Sequence, residues 1–390
     1  MIYLDNAATT KMAPKVVEEM LPFFTQHYGN AGSIYRLGAE SKKRISKARE
    51  IIARTLSCKS EEIFFTSGGT ESDNWALKAV AEACSDKGKH IITSKIEHHA
   101  ILHTCKYLEE KGFEITYLDV DRDGLVDLKE LKAAIRPDTI LISIMFANNE
   151  IGTIEPIAEI GSLAREKGII FHTDAVQAYG HLPINVEEMQ IDLLSASGHK
   201  FNGPKGVGFL YIRKEVMIRS FMHGGAQERN RRAGTENVPG IVGMAAAAEL
   251  SCMDMESKIK KVTDVRDYLI DRIEKEIPYC HLNGHRTKRL PGNVNFTFRF
   301  IEGETLLILL DGQDICASSG SACSSGSIDP SHVLLAIGTE SRDTHGALRM
   351  TLSEENTVEE MDFVVDKLKE IITRLRSMSP EYKKNVSDLE

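Results

Sequence analysis

The chain has 390 residues, with 48 Lys and Arg against 57 Asp and Glu, a formal net charge of −9. At 42% hydrophobic and 27% charged residues it carries enough apolar surface for two or three packed domains, which excludes disorder as the main state. The acidic balance argues against a dedicated nucleic-acid binder. No apolar run approaches bilayer length, and the start MIYLDNAATT lacks a basic region followed by an apolar stretch, so neither a membrane span nor a secretory signal is expected.

Seven cysteines, an odd number scattered along the chain, do not read as a disulfide framework and point to a reducing cytoplasm. In chain order, residues 42–56 place Ile45, Ala48 and Ile52 on one face among Lys and Arg, an amphipathic helix. From about 60 to 215, short apolar runs at 63–66, 91–94, 115–118, 140–146, 169–172, 192–196 and 207–212 alternate with helical spacing such as Ile157, Ile160 and Ala164. That alternation predicts an α/β unit with a mostly parallel sheet covered by helices. After about 256 the pattern changes. Val294, Phe296, Phe298 and Phe300 alternate with Asn295, Thr297 and Arg299, which predicts a half-buried antiparallel strand. Val358, Met361, Val365, Leu368 and Ile372 predict a long amphipathic helix over 357–376, and the last ten residues read as a polar tail. A smaller α+β domain is expected there.

The segment from Ile63 through Ser67-Gly68-Gly69-Thr70 leads a strand into a helix. It suits a phosphate, although Thr70 as a plain N-cap needs no ligand. Asp174 stands just past a strand, where ligands of open α/β sheets collect; a helix cap is its ordinary use. Lys200, in Ser197-Gly-His-Lys, can attack a carbonyl to form a Schiff base if its site is partly dry, with Lys205 a competitor for the same job. Cys323 lies in a Gly/Ser-rich stretch that cannot bury a core, so an exposed, mobile thiol is expected; the other six cysteines read as packing. The stretch from Asp119 to Glu130 fits a calcium-loop pattern, but a strand precedes it where a helix is required, so a strand–turn–helix with acidic caps is preferred. His99 and His103 have zinc-ligand spacing without a third ligand in frame. His98, before that helix, could stack on a ring or serve as an exposed turn residue. Arg229-Asn-Arg-Arg-Ala-Gly-Thr235 reads as a solvated loop, or as a phosphate contact across a subunit interface.

Together, Leu4-Asp-Asn-Ala-Ala-Thr-Thr, Thr66-Ser-Gly-Gly-Thr-Glu-Ser-Asp-Asn, Glu97-His, Asn148-Asn-Glu-Ile-Gly, Asp174-Ala-Val-Gln, Ser197-Gly-His-Lys, Gly203-Pro-Lys-Gly, Arg232-Ala-Gly-Thr and Ser321-Ala-Cys resemble the cysteine desulfurases (NifS/IscS-like) that use pyridoxal 5'-phosphate, within the class V aminotransferases. The order is unbroken from residue 3 to about 365. One departure stands out: the family's Gly-Asn-Pro-Ser-Ser-Ile-His is Gly29-Asn-Ala-Gly-Ser-Ile-Tyr35 here.

The resemblance implies fold type I: a large domain at 14–255 with a seven-stranded sheet, and a small domain of 1–13 and 256–390 carrying the Cys323 loop (about 317–332). It implies Lys200 as the lysine bound to the coenzyme, Asp174 on the pyridinium nitrogen, His98 stacked on the ring and Gln177 at the ring oxygen. Gly69, Thr70, Ser197 and His199 would hold the phosphate, with Thr235 supplied by a partner subunit. Arg349, Asn149 and Asn30 would bind the substrate carboxylate, and Asn149 would also touch the coenzyme. Cys323 would take sulfur from L-cysteine as a persulfide, leaving L-alanine, and pass it to an acceptor such as an iron–sulfur scaffold or a tRNA-thiolation enzyme. The implied assembly is a homodimer. No resident metal is implied, beyond a passing contact of Cys323 with a cluster. The alternatives are a selenocysteine lyase or another class V pyridoxal-phosphate enzyme, and a sulfur carrier that has lost catalysis.

Overall fold

The computed structural model describes residues 1–319 and 330–387. After a two-residue strand, β1 (Ile2–Tyr3), the seven apolar runs become β2 (Ile63–Thr66), β3 (His90–Ser94), β4 (Glu114–Leu118), β5 (Thr139–Ser143), β6 (Ile170–Asp174), β7 (Leu193–Ser197) and β8 (Gly208–Ile212). They form one sheet in the order β2-β8-β7-β6-β5-β3-β4. β8 runs antiparallel to β2 and β7, and the other neighbours pair in parallel. Helices cover both faces. Helices Arg36–Thr55, Ile157–Lys167 and Val238–Cys252 bury Ile45, Ile52, Ile160 and Met244 on one side. Gly69–Ala83 and His99–Glu109 bury Trp75, Leu77, Ile101 and Cys105 on the other. Two covered faces explain why these strands read as continuous apolar runs. The parallel strands β2, β3, β5, β6 and β7 end on one sheet edge, where the connecting loops gather.

A second core is built from β9 (Cys280–Leu282), β10 (Asn293–Phe298), β11 (Ile315–Cys316) and β12 (Ala347–Thr351) with helices Met255–Glu276 and Val358–Met378. β10 is antiparallel to β12 and β9, and β11 pairs in parallel with β1, so the N-terminus joins this unit and Leu4 lies in its core. The final long helix starts with a reciprocal cap between Thr357 and Glu360.

Several expectations change. β10 is buried on both faces: Asn295 and Thr297 receive hydrogen bonds from Asn283, and Asn295 donates to the Glu150 carbonyl. Its polar alternation marks a buried hydrogen-bonded seam, not a wet face. Val358 is exposed, and Val364 and Ile371 complete the buried stripe. The polar tail begins as a helix, Pro380–Ser387. The acidic 119–130 stretch is a turn: Asp121 Oδ1 accepts the Asp123 and Leu125 N–H groups, and Asp127 caps helix Leu128–Ala134, as the strand–turn–helix reading expects. Among the described residues no single helix is long and apolar enough to cross a membrane. The one helix pair that passes by length and composition is bent by 75° at its break.

Candidate active site

At the shared sheet edge, β6 and β7 deliver Asp174 and Ser197, and the residue after β2 is Ser67; all three line one cavity of about 500 Å³. Gly69, Thr70, His98, Asn149, Asp174, Gln177, Ser197, His199 and Lys200 line it, together with Asp73 and Lys205. Thus residues spread over more than a hundred positions meet because parallel strands end together.

Helix Gly69–Ala83 opens on this cavity. Thr70 is not its cap. The cap is Gly68, at φ +154, a conformation side-chain-bearing residues rarely adopt. A Cβ on Gly69 would come within 2.5 Å of Val176 Cγ2, so the glycines keep the helix start close against the loop after β6.

Asp174 closes β6, and its Oδ1 accepts the Val176 N–H at 2.9 Å. Burial lifts its pKa to about 6, opposed by that hydrogen bond and by the Lys200 charge. Lys200 ends the single 3₁₀ turn that follows β7. Its Nζ donates to the Ala7 and Ala8 carbonyls at 2.6 and 2.9 Å. Lys205 also lines the cavity but is exposed, whereas Lys200 is half-buried. Gln177 donates to the Ala7 carbonyl at 3.0 Å, and His199 Nδ1 lies 3.1 Å from Thr9 Oγ1. The N-terminal segment 7–9 therefore borders the cavity, and its place in the Leu4–Thr10 motif was the signal that it has a role.

His98 caps helix His99–Glu109, its Nδ1 accepting the Ala100 N–H. It is not an exposed turn residue. Burial first, and then the Lys200 charge, push its pKa down to about 4, so it is neutral at pH 7. His99 and His103 stack 5.1 Å apart. Ligand atoms of Asp73, His98 and Asp174 all lie within 4.8 Å of one another, and no other such trio occurs among the described residues.

Arg349, Asn30 and Thr235 do not line the cavity. Arg349 is buried on β12, and its guanidinium donates to the Asn149 carbonyl at 3.1 Å and to Asp5 at 3.0 Å, while its Nε has no partner. Its backbone pairs with Ser318 in both directions. Ser331 donates to Glu150, and His332 bonds to the Glu97 carbonyl. Ser318 and Ser331 are thereby tied to β12 and to Glu150, next in sequence to the cavity-lining Asn149. Cys323 itself lies outside the described residues. Asn30 and Thr235 are exposed. The basic loop before Thr235 is not merely solvated: Arg232 holds Glu71 through two hydrogen bonds, and the Arg229 guanidinium sits 4.1 Å from the centre of the Phe64 ring. Sequence reading assigned no role to Asp5, Glu71, Asp73 or Glu150. Their presence inside recognised motifs was the available signal. Of the other cysteines, Cys84 and Cys105 are buried as expected, while Cys58, Cys252, Cys280 and Cys316 are half-buried; all six are free.

The profile of the aminotransferase class-V family matches residues 2–364. A curated relative named cysteine desulfurase IscS, from Methanosarcina thermophila, is 59% identical over 379 residues, covering 97% of this chain and 94% of the relative. A solved structure described as a NifS-like protein superposes with a TM-score of 0.90 at 42% identity, covering 95% of this chain and 99% of that one. Another, described as SspA in complex with cysteine, gives a TM-score of 0.80 at 37% identity over 92% of this chain and 100% of its own. On this breadth of match and a shared fold, the chain belongs to the class-V aminotransferase family.

Proposed function

We propose that the protein is a cysteine desulfurase that uses pyridoxal 5'-phosphate, converting L-cysteine to L-alanine and loading the sulfur on Cys323 for transfer to acceptor proteins, iron–sulfur cluster assembly foremost. The carrying observation is the convergence of Lys200, a buried Asp174, Gln177 and His98 in one cavity that opens at a glycine-lined helix start. The relatives' names support the activity, and the cysteine complex of SspA supports the substrate.

The residues fit the coenzyme. The helix start beside Ser197 and His199 offers amides and a positive dipole end to a phosphate. Asp174 offers a buried carboxylate to a protonated ring nitrogen, and the orphaned Asp73 Oδ1 leaves polar capacity unused near the cavity floor. When bound, pyridoxal phosphate supplies an electron sink for the pair released at the substrate. Lys200 would hold it covalently, and once displaced by the substrate amine its Nζ is placed to carry a proton. Asp174 would keep the ring nitrogen charged, Gln177 would fix the ring oxygen, and neutral His98 would lie against the ring without adding a competing cation.

Arg349 and Asn149 would hold the substrate carboxylate, Arg349 through its planar fork, with Asn30 completing the pocket. The Cys323 thiolate then attacks the substrate sulfur. An S–S bond forms as the Cβ–S bond breaks, and Cβ takes a proton to give L-alanine.

We take 14–255 as the coenzyme-binding domain and 1–13 with 256–390 as the domain bearing Cys323, since Leu4 packs with Val294 and Leu368. We place the protein in the cytoplasm on its scattered cysteines. We propose a homodimer with Thr235 completing the partner's phosphate site. Leu21, Phe24, Tyr28, Ile34 and Tyr35 are all exposed, a concentration of apolar surface that a second copy would cover. No metal centre and no nucleic acid form part of this reading.

The test is turnover of L-cysteine by coenzyme-loaded protein, with alanine and reductant-released sulfide measured together. Cys323→Ala should retain the coenzyme and form no persulfide. A Cys323→Ala protein that desulfurates cysteine at the wild-type rate overturns the mechanism, and turnover of selenocysteine alone reassigns the protein as a lyase.

A further inference from the structure

Asp73 is the fifth residue of helix Gly69–Ala83 and is 1% exposed. Its Oδ1 has no hydrogen-bond partner, and it lines the cavity within 4.8 Å of ligand atoms of Asp174 and His98. Behind it stands a buried polar chain. His172, fully buried, has Nε2 3.7 Å from Asp73 Oδ1 and 3.0 Å from Ser195 Oγ, and Nδ1 2.9 Å from Ser143 Oγ. Burial pushes His172 down to about 3, so it supplies no positive charge. Glu97, also fully buried, adds another carboxyl nearby. Lys200 is the neighbouring cation, and it acts on Asp174.

Two buried carboxylates this close resist joint ionisation, because burial leaves their repulsion poorly screened. Asp174 has the better claim to the charge: it accepts a backbone N–H and feels Lys200. Burial, then the Asp174 charge, hold the Asp73 proton on well above the usual carboxylate range, against a Ser195 hydrogen bond to the carboxyl that lowers it.

We propose that Asp73 is a positioning residue: as a neutral carboxylic acid it donates a hydrogen bond to Asp174, so that a single negative charge, held in one orientation, faces the coenzyme's ring nitrogen. The inference rests on the coenzyme reading above and assigns a residue that the reading leaves without a role. A protonated carboxyl kept neutral in order to donate is a recognised device of enzyme sites. The donor lowers the proton affinity of Asp174, which burial alone would raise further.

Infrared difference spectra of the coenzyme-loaded protein in H₂O and D₂O should show the C=O stretch of a protonated carboxylic acid that disappears in Asp73→Asn. Asp73→Ala removes the donor. It should loosen the coenzyme about tenfold and move the pH midpoint of coenzyme retention upward by about one unit. Asp73→Asn, whose amide can donate the same bond, should recover most of both effects. Thermal melting of each variant separates these changes from loss of fold, and if Asp73→Ala does not fold, the infrared band and Asp73→Asn decide. Absence of the band, or an Asp73→Asn protein as impaired as Asp73→Ala, overturns the proposal. Failure of the wild type to bind pyridoxal phosphate at all overturns the parent reading instead.

Discussion

Asp174 sits where burial raises its proton affinity while a backbone N–H and the Lys200 charge lower it, and the balance falls near pH 6. Its raised pKa means it is ionised above about pH 6 and protonated below, so a ring-nitrogen cation loses its partner as pH falls. Coenzyme retention, followed by equilibrium dialysis, should therefore decline between pH 7 and pH 5, and flat retention across that range would contradict the assignment. Asp174→Ala should reduce turnover by roughly 10²- to 10³-fold, the scale of a lost charge partner in a dry site. A steady-state assay under saturating coenzyme checks it. At this scale much was legible. Asp174 stood out because ligands of open α/β sheets collect at strand ends, and Lys200 because a lysine in a partly dry site can form a Schiff base. Asp73 was not legible, because an acid in the first turns of a helix ordinarily faces water.

The site is assembled by elements that have little freedom to move. Gly208, which opens β8, is pinned: a Cβ there would stand 2.5 Å from the Ala196 carbonyl oxygen and 2.7 Å from Gly68 Cα. Both are backbone atoms, so Gly208→Ala should cost about 1–3 kcal/mol as overpacking and push the Gly68 turn away from the cavity. Thermal melting should show the loss, with coenzyme affinity falling in parallel; a variant unchanged in both would show the turn can shift freely. The parallel strands were readable because helices cover both faces and force apolar residues at every position. The capping of helix Gly69–Ala83 was not, since Thr70 has the right chemistry for a cap while Gly68 caps by conformation alone. β10 misled for a related reason. Asn295 and Thr297 mimic a wet face, but their partners, Asn283 and the Glu150 carbonyl, are 12 to 145 positions away.

Across the whole molecule, the N-terminus joins distant parts of the chain: β1 pairs with β11, and segment 7–9 borders the cavity that holds Lys200. The Leu4–Thr10 motif marked the segment, but no local pattern could say what it touches, because the contacts span most of the chain. The exposed apolar group from Leu21 to Tyr35 makes a prediction at the same scale. The protein should sediment as a dimer. Replacing Phe24 and Ile34 together by Asp should yield a monomer with weakened coenzyme retention, since Thr235 would no longer reach a partner's site. A wild-type monomer at micromolar concentration would remove that element of the account.

The central claim is a covalent link between Lys200 and pyridoxal phosphate, and borohydride reduction of the coenzyme-loaded protein followed by peptide mapping tests it directly. The account predicts a single modified peptide with the label on Lys200. Label on Lys205, or on no lysine, would contradict it.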